Sequence, residues 1–150
     1  MPSAKLYRYT VKRSRVSFAH EGTTGMGPDE VARFIKRIAK GLDRETFYAV
    51  FLDIRLNVIG YEIVAVGGLS SVDVHPREVF RGALLAGAAQ VIVAHNHPSG
   101  TLEHSSDDLA LVKRLKEAGD LLGVPVLDSI VVSDDGHSSL ADESSARGLR

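Results

Sequence analysis

The run Gln90-Val91-Ile92-Val93-Ala94 constrains this chain more than any other segment, because it is apolar at successive positions rather than alternate ones. Side chains on a strand alternate between its two faces, so a short run apolar on both predicts a strand covered from both sides. Such strands lie in the middle of α/β sheets. The flanking sequence supplies the covering helices. Pro28, Asp29 and Glu30 suit a helix start, Val31, Phe34, Ile35 and Ile38 form one apolar stripe, and Gly41 suits the stop. Phe47–Ile54 and Val58–Val66 read as strands joined in a hairpin through Asp53–Asn57. Pro76 opens a helix through about Ala88, another spans about Ser106 to Leu122, and Val126–Val132 is a further buried strand before a turn at Asp134–Gly136. The order helix, hairpin, helix, strand, helix, strand predicts an α/β sandwich with a mixed sheet. Residues 5–19 alternate and would suit an added edge strand, residues 20–27 read as a loop, and the tail from Ala141 is expected to fray.

Composition narrows the chemistry. At 150 residues, 44% hydrophobic and 25% charged, the chain is expected to form one domain with a real core, not a disordered segment. No apolar run approaches the roughly 18 residues of a membrane span, so no membrane partner is expected. The N-terminal stretch carries Lys5, Arg8, Lys12, Arg13 and Arg15 without an apolar core, unlike a secretory signal, and the cytoplasm is the expected compartment. The 18 basic and 19 acidic residues leave a net charge of −1, which gives no global electrostatic case for nucleic acid. With no cysteine, disulfides, a thiol nucleophile and thiolate metal sites are all excluded. Any metal must be held by His, Asp or Glu.

His95-Asn96-His97 stands directly after the two-sided strand, and ligands of α/β sheets gather at the carboxyl ends of strands. Two residues apart on an extended chain, both imidazoles lie on one side and can address one ion. Asp108 is a candidate third ligand, in the first turn of the next helix on the face that carries Val112 and Leu115. Two His and one carboxylate, with a position left for water, make a catalytic zinc arrangement rather than a closed structural one. Ser105 and Asp108 also read as a capping box, which taken alone is the commoner meaning of such a pair. Pro98-Ser99-Gly100 taken alone is a turn.

His95-x-His97, seven residues, then Ser105-x-x-Asp108 resembles the JAMM (MPN+) metallopeptidase motif. The strings HNHPSG at 95–100, VHPREVFRGAL at 74–84 and ETFYAVFLD at 45–53 resemble its bacterial RadC-like branch. The resemblance implies a cytidine-deaminase-like three-layer α/β/α sandwich over residues 28–142. Before it would lie a basic, partly extended segment (1–27), and after it a flexible tail (143–150). It implies one zinc ion per chain held by His95, His97 and Asp108, with Glu45 as general base and Ser105 as hydrogen-bond donor to the tetrahedral intermediate. The implied activity is that of a zinc-dependent peptidase or isopeptidase hydrolysing an amide bond in a protein or peptide with zinc-activated water. Two positions depart from the RadC-like pattern: residue 104 is His where the pattern has Pro, and residue 129 is Ser where it has His. His104 either loosens the loop or offers a spare ligand, and Ser129 removes a supporting contact.

Other polar residues have plainer readings. His75 before Pro76 suits a helix start, Asp107 faces solvent one position off the apolar stripe, Glu62 suits the polar face of a half-covered sheet, and His20 and His137 flank loops. The letters His-Asn-His do not make an HNH nuclease, whose residues come from separated segments. A zinc nucleoside deaminase needs cysteines that this chain lacks. A phosphodiesterase commonly uses two metals, and ligands for only one are visible. The remaining alternative is a non-catalytic metal-binding interaction module linked to DNA repair or mobile elements, supported independently only by the basic segment from Lys5 to Arg15.

Overall fold

The computed structural model of the chain describes residues 5–10, 12–15, 27–67 and 74–146. In chain order the elements are α1 (Pro28–Ile38), β1 (Thr46–Leu52), β2 (Val58–Val66), α2 (Pro76–Ala86), β3 (Gln90–Asn96), α3 (Ser106–Leu122), β4 (Val126–Ser133), β5 (Gly136–Ser139) and α4 (Leu140–Ala146). The five strands form one mixed sheet in the order β2-β1-β3-β4-β5, with β3 and β4 parallel and the other neighbours antiparallel. The strand apolar on both faces is therefore the central one, as its composition requires.

Helices cover both faces. α1 lays Val31, Phe34 and Ile35 against Tyr48, Val50, Ile92, Ala94, Ile130 and Val132. On the opposite face α2 contributes Val79, Phe80 and Ala83, and α3 contributes Leu111 and Leu115, against Phe47, Ala49, Phe51, Val91 and Val93. The result is the expected three-layer α/β/α arrangement. Gly87 and Gly123 end α2 and α3 in the left-handed conformation, with φ of 68° and 71°, that residues with a Cβ adopt at a cost. Among the described residues no helix is long and apolar enough to cross a membrane.

Four expectations need correction. β3 does not stop at Ala94 but runs through Asn96, because β4 continues alongside it and pairs Val131 with His95 and Val132 with Asn96. The turn after β4 leads into a fifth strand, β5 from Gly136 to Ser139, where the sequence pattern assigns no strand. Residues 5–10 and 12–15 form no strand, and the remainder of that segment lies outside the described residues, as does the 20–26 part of the expected loop. Residues 141–146 of the expected frayed tail lie in α4, and 147–150 lie outside the described residues. The anchor of α4 is the buried Asp128 of β4, whose Oδ1 accepts the N–H groups of Ser129 (2.7 Å) and Ala141 (2.9 Å) and whose Oδ2 accepts the Ser139 hydroxyl. A helix N-terminus has N–H groups without partners inside the helix, and a buried carboxylate needs donors; each satisfies the other.

Candidate metal centre

Three pieces of chain meet at the carboxyl end of β3. The first is β3 itself. His95 lies on the same face of the sheet as Val91 and Val93, and is almost fully buried at 2% exposure. Phe47, its partner across β1, stacks on the ring at 6.0 Å between centroids. His97 follows just beyond the strand, with its backbone N–H on Val132 O at 2.8 Å. Gly100, at φ 91°, lets the chain turn back with its N–H on His97 O, and Thr101 O then accepts His97 Nδ1–H at 2.7 Å. A carbonyl can only accept, so His97 Nδ1 carries a proton, and in the neutral ring Nε2 then carries the lone pair.

The second piece is the start of α3. Ser105 caps the helix by accepting the Asp108 N–H at 3.1 Å, and Asp108 Oδ2 accepts the Ser105 N–H at 2.8 Å, a complete capping box. The same Oδ2 lies 3.4 Å from His95 Nε2 and 3.8 Å from His97 Nε2, while the two imidazole Nε2 atoms are 2.9 Å apart. The cap and the cluster are thus one structure, because the bond that starts the helix aims the carboxylate. Burial pushes the Asp108 carboxyl up, but the His95 ring beside it and the bonds from Ser105 together outweigh burial and hold it well below the usual carboxylate range.

These three residues form a group that could hold a metal ion, with one donor atom each and all within 4.8 Å of one another. A tetrahedral ion with bonds of about 2.0–2.2 Å has ligand atoms about 3.4 Å apart. The observed edges of 2.9, 3.4 and 3.8 Å bracket that value. Donor type and spacing therefore both suit a small borderline cation such as zinc.

The third piece is the start of β1. Glu45 Oε1 lies 3.9 Å from His97 Nε2, beside the ligand group but outside it. Asn96, which in the sequence is only the spacer between the histidines, holds this segment. Its Oδ1 accepts the Thr46 N–H at 2.8 Å and its Nδ2 donates to Arg44 O at 3.0 Å, gripping the backbone on both sides of Glu45. A polar residue between two ligands on a strand points to the opposite face; that alternation was the available clue. A cleft lined by Glu45, His97, Thr101, His104, Ser105 and Asp108 opens the cluster to solvent.

Of the remaining candidates His75 and Asp107 fall where their plainer readings put them, whereas His137 lies in β5 rather than beside a loop. His75 caps α2, its Nδ1 accepting the Arg77 N–H at 3.3 Å. Asp107 is exposed, Glu62 is half-buried on β2, and His137 pairs with Asp29 at 2.9 Å. His20 lies outside the described residues. His104 lines the cleft but does not join the ligand group, because its Nε2–H is turned to Ser129 O at 3.1 Å.

A family model described as the RadC-like JAB domain matches residues 26–145. A UPF0758 protein of Desulforamulus reducens is 42% identical over 113 residues, which cover 75% of this chain and 50% of that relative. One from Moorella thermoacetica is 39% identical over 130 residues, 87% of this chain and 57% of the relative. One from Methanosarcina acetivorans is 42% identical over 104 residues, 69% of this chain and 45% of the relative. The chain spans about half the length of the curated relatives it matches.

Proposed function

Since this chain belongs to the RadC-like JAB domain family, we propose that it is a zinc-dependent peptidase or isopeptidase, hydrolysing amide bonds in protein or peptide substrates. The observation that carries this reading is the second carboxylate. Glu45 Oε1 lies 3.9 Å from His97 Nε2, its side chain 37% exposed at the cleft. A closed structural site has no use for a carboxylate beside a three-residue ligand set, whereas hydrolysis needs a base there.

Zinc held by His95, His97 and Asp108 would supply Lewis acidity and make a water nucleophile available near neutral pH. The chain's own groups supply the proton transfers and the orientation. Glu45 takes a proton from the attacking water and returns it to the leaving amine. Asn96 keeps the backbone around Glu45 in place. Ser105 uses one lone pair of its hydroxyl to cap α3, which leaves its O–H free to donate to the carbonyl oxygen as that atom gains charge.

Ser105→Ala separates its two roles. Loss of the cap is expected to cost about 1 kcal/mol, read as a lowered Tm. Loss of the donor is expected to slow hydrolysis by about 10²–10³-fold. Activity that falls only with the folded fraction would assign Ser105 to the cap alone.

The reading as a whole is tested by metal analysis joined to cleavage. Purified protein should hold about one zinc per chain, the stoichiometry of a three-ligand catalytic site. With a peptide library and lysine-linked isopeptide conjugates it should release new amine termini, detected by mass spectrometry. His97→Ala should lose both metal and cleavage with its circular dichroism unchanged. Protein that stays metal-free in excess zinc, or cleavage that survives His97→Ala, overturns the proposal.

A further inference from the structure

Three buried polar atoms beside the ligand cluster have no hydrogen-bond partner: His95 Nδ1, His104 Nδ1 and Ser129 Oγ. Buried polar atoms without partners are rare and costly. Here all three belong to neighbouring residues. Ser129 pairs with Val93 in the parallel register and His95 with Val131, so Ser129 and His95 share one face of the sheet as diagonal neighbours. The His104 ring stands nearly perpendicular to the His95 ring, at 80°, with centroids 6.2 Å apart.

Their donor and acceptor states can be worked out from the bonds around them. His104 Nε2 faces the Ser129 carbonyl, so that nitrogen carries the proton and Nδ1 carries a lone pair. His97 donates through Nδ1 and presents a lone pair at Nε2. The contact of 2.9 Å between the two Nε2 atoms then requires His95 to be the donor, with its proton on Nε2. Ligation through His95 Nε2 needs the lone pair there instead. The ring proton must then sit on Nδ1, inside the protein, where it needs an acceptor.

We propose that Ser129 and His104 are positioning residues for His95, in a chain in which His95 Nδ1–H donates to Ser129 Oγ and the Ser129 hydroxyl donates through one ordered water to His104 Nδ1. Donor, donor-acceptor and acceptor are present in the order such a chain requires. The water is needed because the His104 ring already gives Nε2–H to the carbonyl of the same serine, and its two nitrogens point apart. The hydrogen-bonded chain turns the His95 ring so that Nε2 faces the cleft, the service that Thr101 O performs for His97. The proposal rests on the metalloenzyme reading above.

The test uses zinc affinity, by chelator competition, and the His95 ring in zinc-loaded protein, by nitrogen-15 NMR. Wild type should show His95 protonated at Nδ1, with a slowly exchanging proton. His104→Ala should weaken zinc binding by about 10–100-fold, the usual effect of removing an outer hydrogen-bond partner, and should speed exchange of that proton. His104→Gln, which offers both a donor to Ser129 O and an acceptor, should restore most of both. Ser129→Ala, nearly isosteric, should weaken zinc as His104→Ala does, and it carries the test where His104→Ala fails to fold. Wild-type affinity and an unchanged Nδ1 proton in the folded variants overturn this support alone. Wild-type protein that binds no zinc overturns it together with the metalloenzyme reading.

Discussion

Glu45→Gln is expected to lower amide hydrolysis by about 10²–10⁴-fold, the usual worth of a positioned general base, while zinc content stays at the wild-type level. The amide keeps the size and shape of the carboxylate and removes only its capacity to take a proton. Metal should be retained because the ligand group is His95, His97 and Asp108, with Glu45 outside it. The check is a paired measurement of zinc per chain and initial cleavage rate on the same preparation. Loss of zinc would make Glu45 a ligand. Full activity with zinc retained would remove it from the reaction, and the part played by Asn96 in holding its backbone would then be structural only.

Zinc affinity is expected to fall steeply with acid, approaching about a hundredfold per pH unit below the ordinary imidazole range near 6.5, because two protons then replace each ion. The sign follows from the ligands. Protonated imidazole has no lone pair for a metal, so protons and zinc compete for the same Nε2 atoms. Asp108 takes no part in that competition, because the His95 ring and the Ser105 bonds outweigh its burial and hold its carboxyl ionised far below neutrality. Competition with a calibrated chelator from about pH 5 to 7.5, spanning the imidazole range, checks the slope. A flat profile would mean that the paired imidazoles do not hold the ion.

What the sequence by itself determined is what neighbouring residues write into one another. The two-sided run at Gln90–Ala94 marked the central strand, and the stripe of Val31, Phe34, Ile35 and Ile38 marked a helix with one buried side. The spacing of His95 and His97 marked two rings on one side of the chain, and Ser105 with Asp108 marked a helix start. Each depends on a period of 2 or 3.6 residues, or on a cap three residues long, so local sequence suffices. Only the family resemblance points to Glu45, since nothing in its neighbouring sequence distinguishes it from any polar residue at a strand edge.

Only the tertiary structure decided where distant segments meet. The antiparallel pairing of β1 with β3 brings Phe47 opposite His95 and so carries Glu45 to His97, 52 positions away, with Asn96 as the clamp. The β3–β4 register places Ser129 beside His95, and the loop before α3 brings His104 across it. α4 is held by Asp128, thirteen positions before its second residue Ala141, where the local sequence reads as a polar tail. The physical reason is common to all of them. A hydrogen bond or ion contact between remote residues depends on which strands are neighbours and in what register. That choice is made by burial of the whole sheet between its helices, not by the few residues on either side of the contact.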